Sequence, residues 1–157
     1  MKLALPDIRL ARPADAQAIA SMSREHIEAG LSFRWTPERV QRAIEDRSCN
    51  VAVIDEREGI AAFGIMLYAE ETAHLALLAV SPARRRQGLG TRILQWLELP
   101  ARVAGILEVR LEVRADNPWA MDFYRRFGFI GDLTLRGYYE GRIDALRMIK
   151  PLAPTVP

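Results

Sequence analysis

The chain has 157 residues, half of them hydrophobic and 27% charged, with a formal net charge of +2. That length and composition fit one domain with a sizeable core, and so small a charge argues against a general nucleic-acid binder. With Cys49 as the single cysteine, an intrachain disulfide and a cysteine-rich zinc site are excluded, and no metal is expected. No apolar run approaches the length of a membrane span, and the N-terminal stretch lacks the apolar core of a signal peptide. A cytoplasmic protein without a membrane partner is the expectation. Residues 1–150 read as a single domain, and residues 151–157, with three prolines, as a loosely held tail.

Residues 8–11 alternate as a short strand. Asp15 is placed to cap a helix whose apolar positions Ile19, Met22 and Ile27 share one face, and Gly30 ends it. Thr36-Pro37-Glu38 starts a second helix, with threonine as cap and proline at the first helical position. Between the helices, Phe33 and Trp35 either pack down on the domain or line an acceptor pocket. Residues 50–55 and 60–68 form a hairpin, and a turn at Glu70-Glu71 leads into an apolar strand over residues 72–80.

Ser81-Pro82 stops that strand, and then come Arg84, Arg85 and Arg86, the glycines Gly88 and Gly90, and a helical pattern. Strand, basic glycine-rich turn, helix: this order aims backbone N–H groups at a phosphate, where the helix dipole helps to hold an anion. The spacing lacks the third glycine of a dinucleotide fingerprint, and no Gly-Lys-Ser/Thr follows as in a nucleotide-triphosphate loop.

The next helix turns Ile93, Leu94 and Leu97 towards the sheet, and Pro100 predicts a kink or early end. Residues 106–114 form a strand parallel to and beside the fourth, with Leu107, Val109, Leu111 and Val113 on one face and Glu108, Arg110, Glu112 and Arg114 on the other. Asn117 caps a helix with Pro118 at its first position and Gly128 as its stop. Two more strands follow, from Phe129 and over residues 145–150. The order is β-α-α-β-β-β-α-β-α-β-β, an α/β (α+β) fold with helices on both faces of a mixed sheet.

The turn Val80-x-Pro82-x-x-x-Arg86-Gln87-Gly88-Leu89-Gly90 closely resembles the acetyl-coenzyme A motif of the GNAT superfamily of N-acetyltransferases. Leu111-Glu112-Val113-Arg114-x-x-Asn117-x-x-Ala120-x-x-Phe123-Tyr124-x-x-x-Gly128-Phe129 looks like the motif that follows it in that family. Gly137-Tyr138-Tyr139-x-Gly141-Arg142-x-Asp144-Ala145 is similar to the C-terminal signature of the ribosomal-protein alanine N-acetyltransferases, which carry a longer insert where only Glu140 stands here. The resemblance implies a GNAT-like, mostly antiparallel sheet of about seven strands flanked by four helices.

It also implies an acetyl-coenzyme A-dependent N-acetyltransferase that moves acetyl to a primary amine by direct attack, with a general base and a general acid. The acceptor is a protein N-terminus or a small-molecule amine, and the chain a monomer or homodimer. Backbone amides from Arg85 through Arg86, Gln87, Gly88, Leu89 and Gly90 to Thr91 suit the pyrophosphate. The family pairs backbone groups of Leu78 and Val80, in the run Leu78-Ala79-Val80, with the pantetheine arm, and Asn117 contacts the arm further along. Tyr124 stands where the family has its general acid, and its plain alternative is a tyrosine packed in an amphipathic helix. Glu112 aligns with the family's base, its alternative being an ion pair with Arg110 or Arg114. His74, on a strand face with Ala76, Leu78 and Val80, is the rival base. Tyr138 and Tyr139 bound the acceptor site. Two other classes stay open: a non-catalytic acyl-coenzyme A sensor, and an RNA-binding domain using Arg84–Arg86.

Overall fold

The computed structural model describes residues 7–153. Its elements are β1 (Ile8–Leu10), α1 (Ala16–His26), α2 (Pro37–Glu45), β2 (Cys49–Glu56), β3 (Gly59–Tyr68), β4 (Thr72–Val80), α3 (Leu89–Val103), β5 (Glu108–Arg114), α4 (Pro118–Phe127), β6 (Ile130–Tyr139) and β7 (Ile143–Pro151). The strands form one seven-stranded sheet in the order β1-β2-β3-β4-β5-β7-β6. Every neighbouring pair is antiparallel except β4 and β5. This is the mixed, mostly antiparallel architecture that the sequence predicts. Among the described residues no helix is long and apolar enough to cross a membrane.

Each sheet face buries its own apolar set. Ile19 of α1 and Val40 of α2 pack with Val53, Phe63, Ile65 and Leu77 on one face. On the other, Ile93, Leu94 and Leu97 of α3 and Tyr124 of α4 pack with Ile54, Met66, Val109 and Leu111. Thr36 caps α2 by accepting from the Arg39 N–H, and Asn117 caps α4 by accepting from the Ala120 N–H. The buried carboxylate of Glu98 accepts from Lys150 Nζ at 3.0 Å, which ties α3 to β7.

Several local expectations change. Asp15 ends a 3₁₀ turn at Pro13–Asp15 and stands at the N-cap position of α1, but its side chain does not cap the helix; its carboxylate accepts from the Arg12 N–H and from Arg9 instead. Pro100 does not end α3. It lies on the exposed side, and the helix runs on to Val103. Leu107 precedes β5 and is exposed, because its backbone is held between Glu71 and Leu152 at the sheet's end. Pro151 belongs to β7 and Leu152 is buried, so the expected loose tail is anchored at its start; residues 154–157 lie outside the described residues.

The largest change concerns β4. Ile65 pairs with Leu77 but Met66 pairs with Leu75, so Ala76 is an extra residue, a β-bulge. One extra residue reverses which side chains face which side. Ala73 and Leu75 pack with α3, whereas beyond the bulge Leu77 and Ala79 pack with α1 and α2. His74 therefore does not share a face with Leu78 and Val80, as simple alternation predicts.

Gly64 of β3 marks where α3 sits closest to the sheet. A Cβ there would lie 2.7 Å from Ile93 Cγ2 and 2.9 Å from Leu97 Cδ1. Gly64→Ala is expected to destabilise the fold by about 1–3 kcal/mol, the usual result of overpacking a filled core. Denaturant unfolding checks it, and an unchanged midpoint would mean that α3 is free to move off the sheet.

Candidate active site

Parallel pairing between β4 and β5 is short: Thr72 with Glu108, Ala73 with Val109, His74 with Arg110, and then nothing. The strands part at the bulge, and a cleft of about 730 Å³ opens between Leu75–Val80 on one side and Leu111–Arg114 on the other. Beyond the parting, the β4 edge turned towards β5 has lost its partner strand, so its polar backbone groups are open to an extended ligand. The cleft's far wall is α4, through Asn117, Trp119, Ala120, Phe123 and Tyr124.

One end of the cleft is the arginine-glycine turn. Gly88 takes φ +76°, in the left-handed region, with open space where a Cβ would be. Gly90 answers a different need: a Cβ there would lie 3.1 Å from Phe123 Cζ, so the glycine lets α4 close onto α3. Arg86 is also left-handed, at φ +65°, which is uncommon for a residue with a side chain. The first bond of α3 runs from the Arg92 N–H to the Gly88 carbonyl, leaving the amides of Leu89, Gly90 and Thr91 without helical partners. Arg84 is engaged by Glu56 at 2.9 Å, while Arg85 and Arg86 are exposed. Free amides, a helix N-terminus and two guanidinium groups without acidic partners, Arg85 reaching only the Val80 carbonyl at 3.4 Å, fit a pyrophosphate.

The other end holds the titratable groups. Tyr124 is 9% exposed, with its ring edge-on to Phe123 and Phe129, and burial pushes its phenol well above the usual value. Glu112 also lines the cleft. Its alternative as a partner of Arg110 or Arg114 is not what forms, since Arg110 binds Glu108 and Arg114 binds Asp116. Glu112 Oε2 lies instead 2.6 Å from His74 Nε2. An ionised carboxylate only accepts, so the imidazole carries its proton on Nε2 and donates it. That hydrogen bond holds the Glu112 carboxyl below its ordinary value of 4.5 against the opposing effect of burial. The two rival bases are thus one pair, with Glu112 on the cleft wall and His74 behind it.

Of the other predicted residues, Leu78, Ala79, Val80, Arg85, Arg86, Gly88, Leu89, Gly90, Thr91 and Asn117 line the cleft, and Gln87 does not. Tyr139 lines it, with its hydroxyl 3.4 Å from the Glu112 carbonyl oxygen, and burial pushes that phenol up to about 12. Tyr138 stands half exposed, edge-on to Tyr139. Phe33 and Trp35, expected as candidates for an acceptor pocket, pack against the α1–α2 core beneath Arg24 and Arg39 instead, and neither lines the cleft.

Sequence reasoning missed three contributors. Arg114 donates to the Ile27 and Ala29 carbonyls and so fixes the end of α1 beside the cleft. Glu28, buried at 8%, accepts from the Arg34 and Trp35 amides and shapes the following loop. Glu140 accepts from the Ser32 N–H at 2.8 Å, which joins that loop to the β6–β7 turn. The left-handed Glu140 backbone between two glycines is the one sequence trace of that turn.

Residues 17–129 match the model of the acetyltransferase (GNAT) family. The chain is 33% identical over 132 residues to the ribosomal protein bS18-alanine N-acetyltransferase of Escherichia coli strain K12, covering 82% of this chain and 88% of that one. The crystal structure of the Escherichia coli ribosomal-protein-S18-alanine N-acetyltransferase superposes with a TM-score of 0.79 at 27% identity, over 98% of this chain and 99% of its own. Arabidopsis thaliana NAA60, solved in complex with acetyl-CoA, shares the fold with a TM-score of 0.81 at 16% identity, over 94% and 99% of the two chains. These relatives are named for acetyl transfer, and a sensor without catalysis finds no support among them. The chain belongs to the acetyltransferase (GNAT) family and is an acetyl-coenzyme A-dependent N-acetyltransferase.

Proposed function

We propose that the acceptor is the α-amino group of a protein N-terminus, that Glu112 held by His74 is the base, and that Tyr124 is the acid. The observation that carries the reading is that Glu112 and Tyr124 line one cleft, a carboxylate bonded and pulled down by His74 and a phenol packed among aromatic rings and pushed up by burial. The amine nitrogen attacks the thioester carbonyl carbon, and as the new bond forms its N–H protons become acidic enough for a carboxylate to take one. The C–S bond then breaks, and the departing thiolate takes the Tyr124 proton. Burial keeps that proton on the phenol across the physiological range, so the donating form is always present. Solvent later returns a proton to Tyr124 and removes one from Glu112.

Coenzyme A would lie with its pyrophosphate on the amides of Leu89–Thr91 and its arm along the open β4 edge at Leu78–Val80. An N-terminus suits the base, because α-amines titrate near about 7.7–8.0 and lysine side chains near about 10.4. The relative at 33% identity is named for the alanine of ribosomal protein bS18, which supports a protein N-terminus over a small amine. Entry for such a chain end lies between the loop after α1 and the β6–β7 turn, which Ser32 and Glu140 join.

Four outcomes are expected. Thiol release should be fast with peptides bearing a free α-amine and slow when that amine is blocked and only an internal lysine remains. Turnover confined to small-molecule amines would overturn the acceptor assignment. Tyr124→Phe should lower kcat about 10²-fold or more with little change in coenzyme affinity, a typical loss for a positioned acid. A kcat near wild type would make Tyr124 packing alone. Glu112→Gln should bring a similar loss and erase the acidic limb of the kcat profile. His74→Ala should move that limb to higher pH, since losing the hydrogen bond lets the Glu112 carboxyl rise towards its ordinary value. A fully active Glu112→Gln variant would remove the pair from the chemistry.

A further inference from the structure

Trp119 stands out among the side chains of the cleft. It is 74% exposed, lies in the first turn of α4 and belongs to neither apolar core, yet it lines the cleft mouth with Asn117 and Ala120. At the cleft mouth this side chain offers a large flat aromatic face to whatever enters. The guanidinium of Arg86 sits over its ring at 5.8 Å, near the outer limit of a cation–π contact. Arg86 is the residue that the turn holds in a left-handed conformation, two positions before Gly88. The indole face and the arginine of the turn are thereby brought together at one end of the site.

Coenzyme A is linear: thioester, pantetheine arm, two phosphates, then a 3′-phosphorylated adenosine. With the thioester at Tyr124 and Glu112 and the phosphates on the amides of Leu89–Thr91, the adenosine must lie beyond the phosphates, at the mouth. We infer that Trp119 is the platform on which the adenine base stacks, and that the Arg86 guanidinium swings from the ring to the ligand's phosphates. This rests on the assignment of the cleft to coenzyme A. A flat purine matches an exposed indole face, and stacking of this kind needs no hydrogen-bond readout of the base. A cation held only against the ring is free to move to a stronger, charge-assisted partner. Trp119 then contributes to holding the nucleotide end and has no part in the acetyl chemistry, which takes place at the other end of the cleft.

Calorimetric titration with two ligands tests this: coenzyme A, and 4′-phosphopantetheine, which lacks the adenosine. Trp119→Ala should raise the Kd of coenzyme A roughly tenfold, as loss of one base-stacking partner does, and leave that of 4′-phosphopantetheine within about twofold. Trp119→Phe should restore most of the coenzyme A affinity, because a smaller ring still stacks. Equal weakening of both ligands would mean that the residue shapes the turn, and an unchanged Kd for coenzyme A would mean that the indole serves something else; either result overturns the platform. If the wild-type chain bound neither ligand, the fault would lie with the cleft assignment itself.

Discussion

The functional half of the molecule depends on one extra residue in β4. The bulge at Ala76 falls two residues after the last parallel pair with β5. A bulge bends its strand and increases the local twist, so the strand that follows it leaves its neighbour. From that parting come the cleft, the open β4 edge and the position of Glu112 on a wall, where an unbroken sheet would have closed over it. The same residue changes the parity of side chains, leaving His74 on one face and Leu78 and Val80 on the other. A single insertion thus separates the histidine from Leu78 and Val80, while the parallel register of His74 with Arg110 keeps it on the Glu112 side of the sheet.

The cleft's two walls meet through the paired glycines of the turn, which are required for unrelated reasons. Gly88 supplies a backbone angle and Gly90 a contact distance to Phe123. The second matters beyond the loop, because Phe123 precedes Tyr124 on α4 and the two rings pack edge to face. The glycine turn therefore also fixes how deeply the helix of Tyr124, the proposed acid, sits. Asn117 at the cap and Gly128 at the stop set the two ends of that helix, and Lys150 braces its last turn by lying over Phe127 at 3.9 Å. The proposed phosphate-binding turn and Tyr124 are held by one block of α3, α4 and β7.

What was legible in the sequence is what is local. The Thr36 and Asn117 caps, prolines at first helical positions, the hairpin turns and the glycine turn each depend on residues within a few positions of one another, and all appear where their pattern places them, whereas the cap expected of Asp15 does not form. The strand order β5-β7-β6 was not legible, nor was the His74–Glu112 bond, which joins residues 38 apart in sequence. That bond depends on the parallel register of two strands, which no local pattern fixes, and alternation without the bulge wrongly groups His74 with Leu78 and Val80. Phe33 and Trp35 illustrate the same limit. Their exposed setting in a connection was ambiguous until Arg24 and Arg39 were found lying over them. Pro100 shows that an exposed proline near a helix end can be absorbed, since the last turn follows it without a break.

The electrostatics of the cleft follow from how its charges are paired off. Glu108, Asp116 and Glu56 occupy Arg110, Arg114 and Arg84, so Glu112 is left to bond His74. An arginine in that place would bring a fixed charge and a fork of donors, whereas the imidazole gives the carboxylate one N–H. Below the ordinary carboxylate range the pair is lost: Glu112, held lower in the folded chain than unfolded, contributes stability above 4.5 that disappears as the pH falls through its folded value. At Tyr124 the cause is of the opposite kind, since its phenol is displaced first by burial, with no charged partner, and so keeps its proton. One group is set by a hydrogen-bonding neighbour and the other by an apolar wall, so a single cleft holds a carboxyl moved down and a phenol moved up.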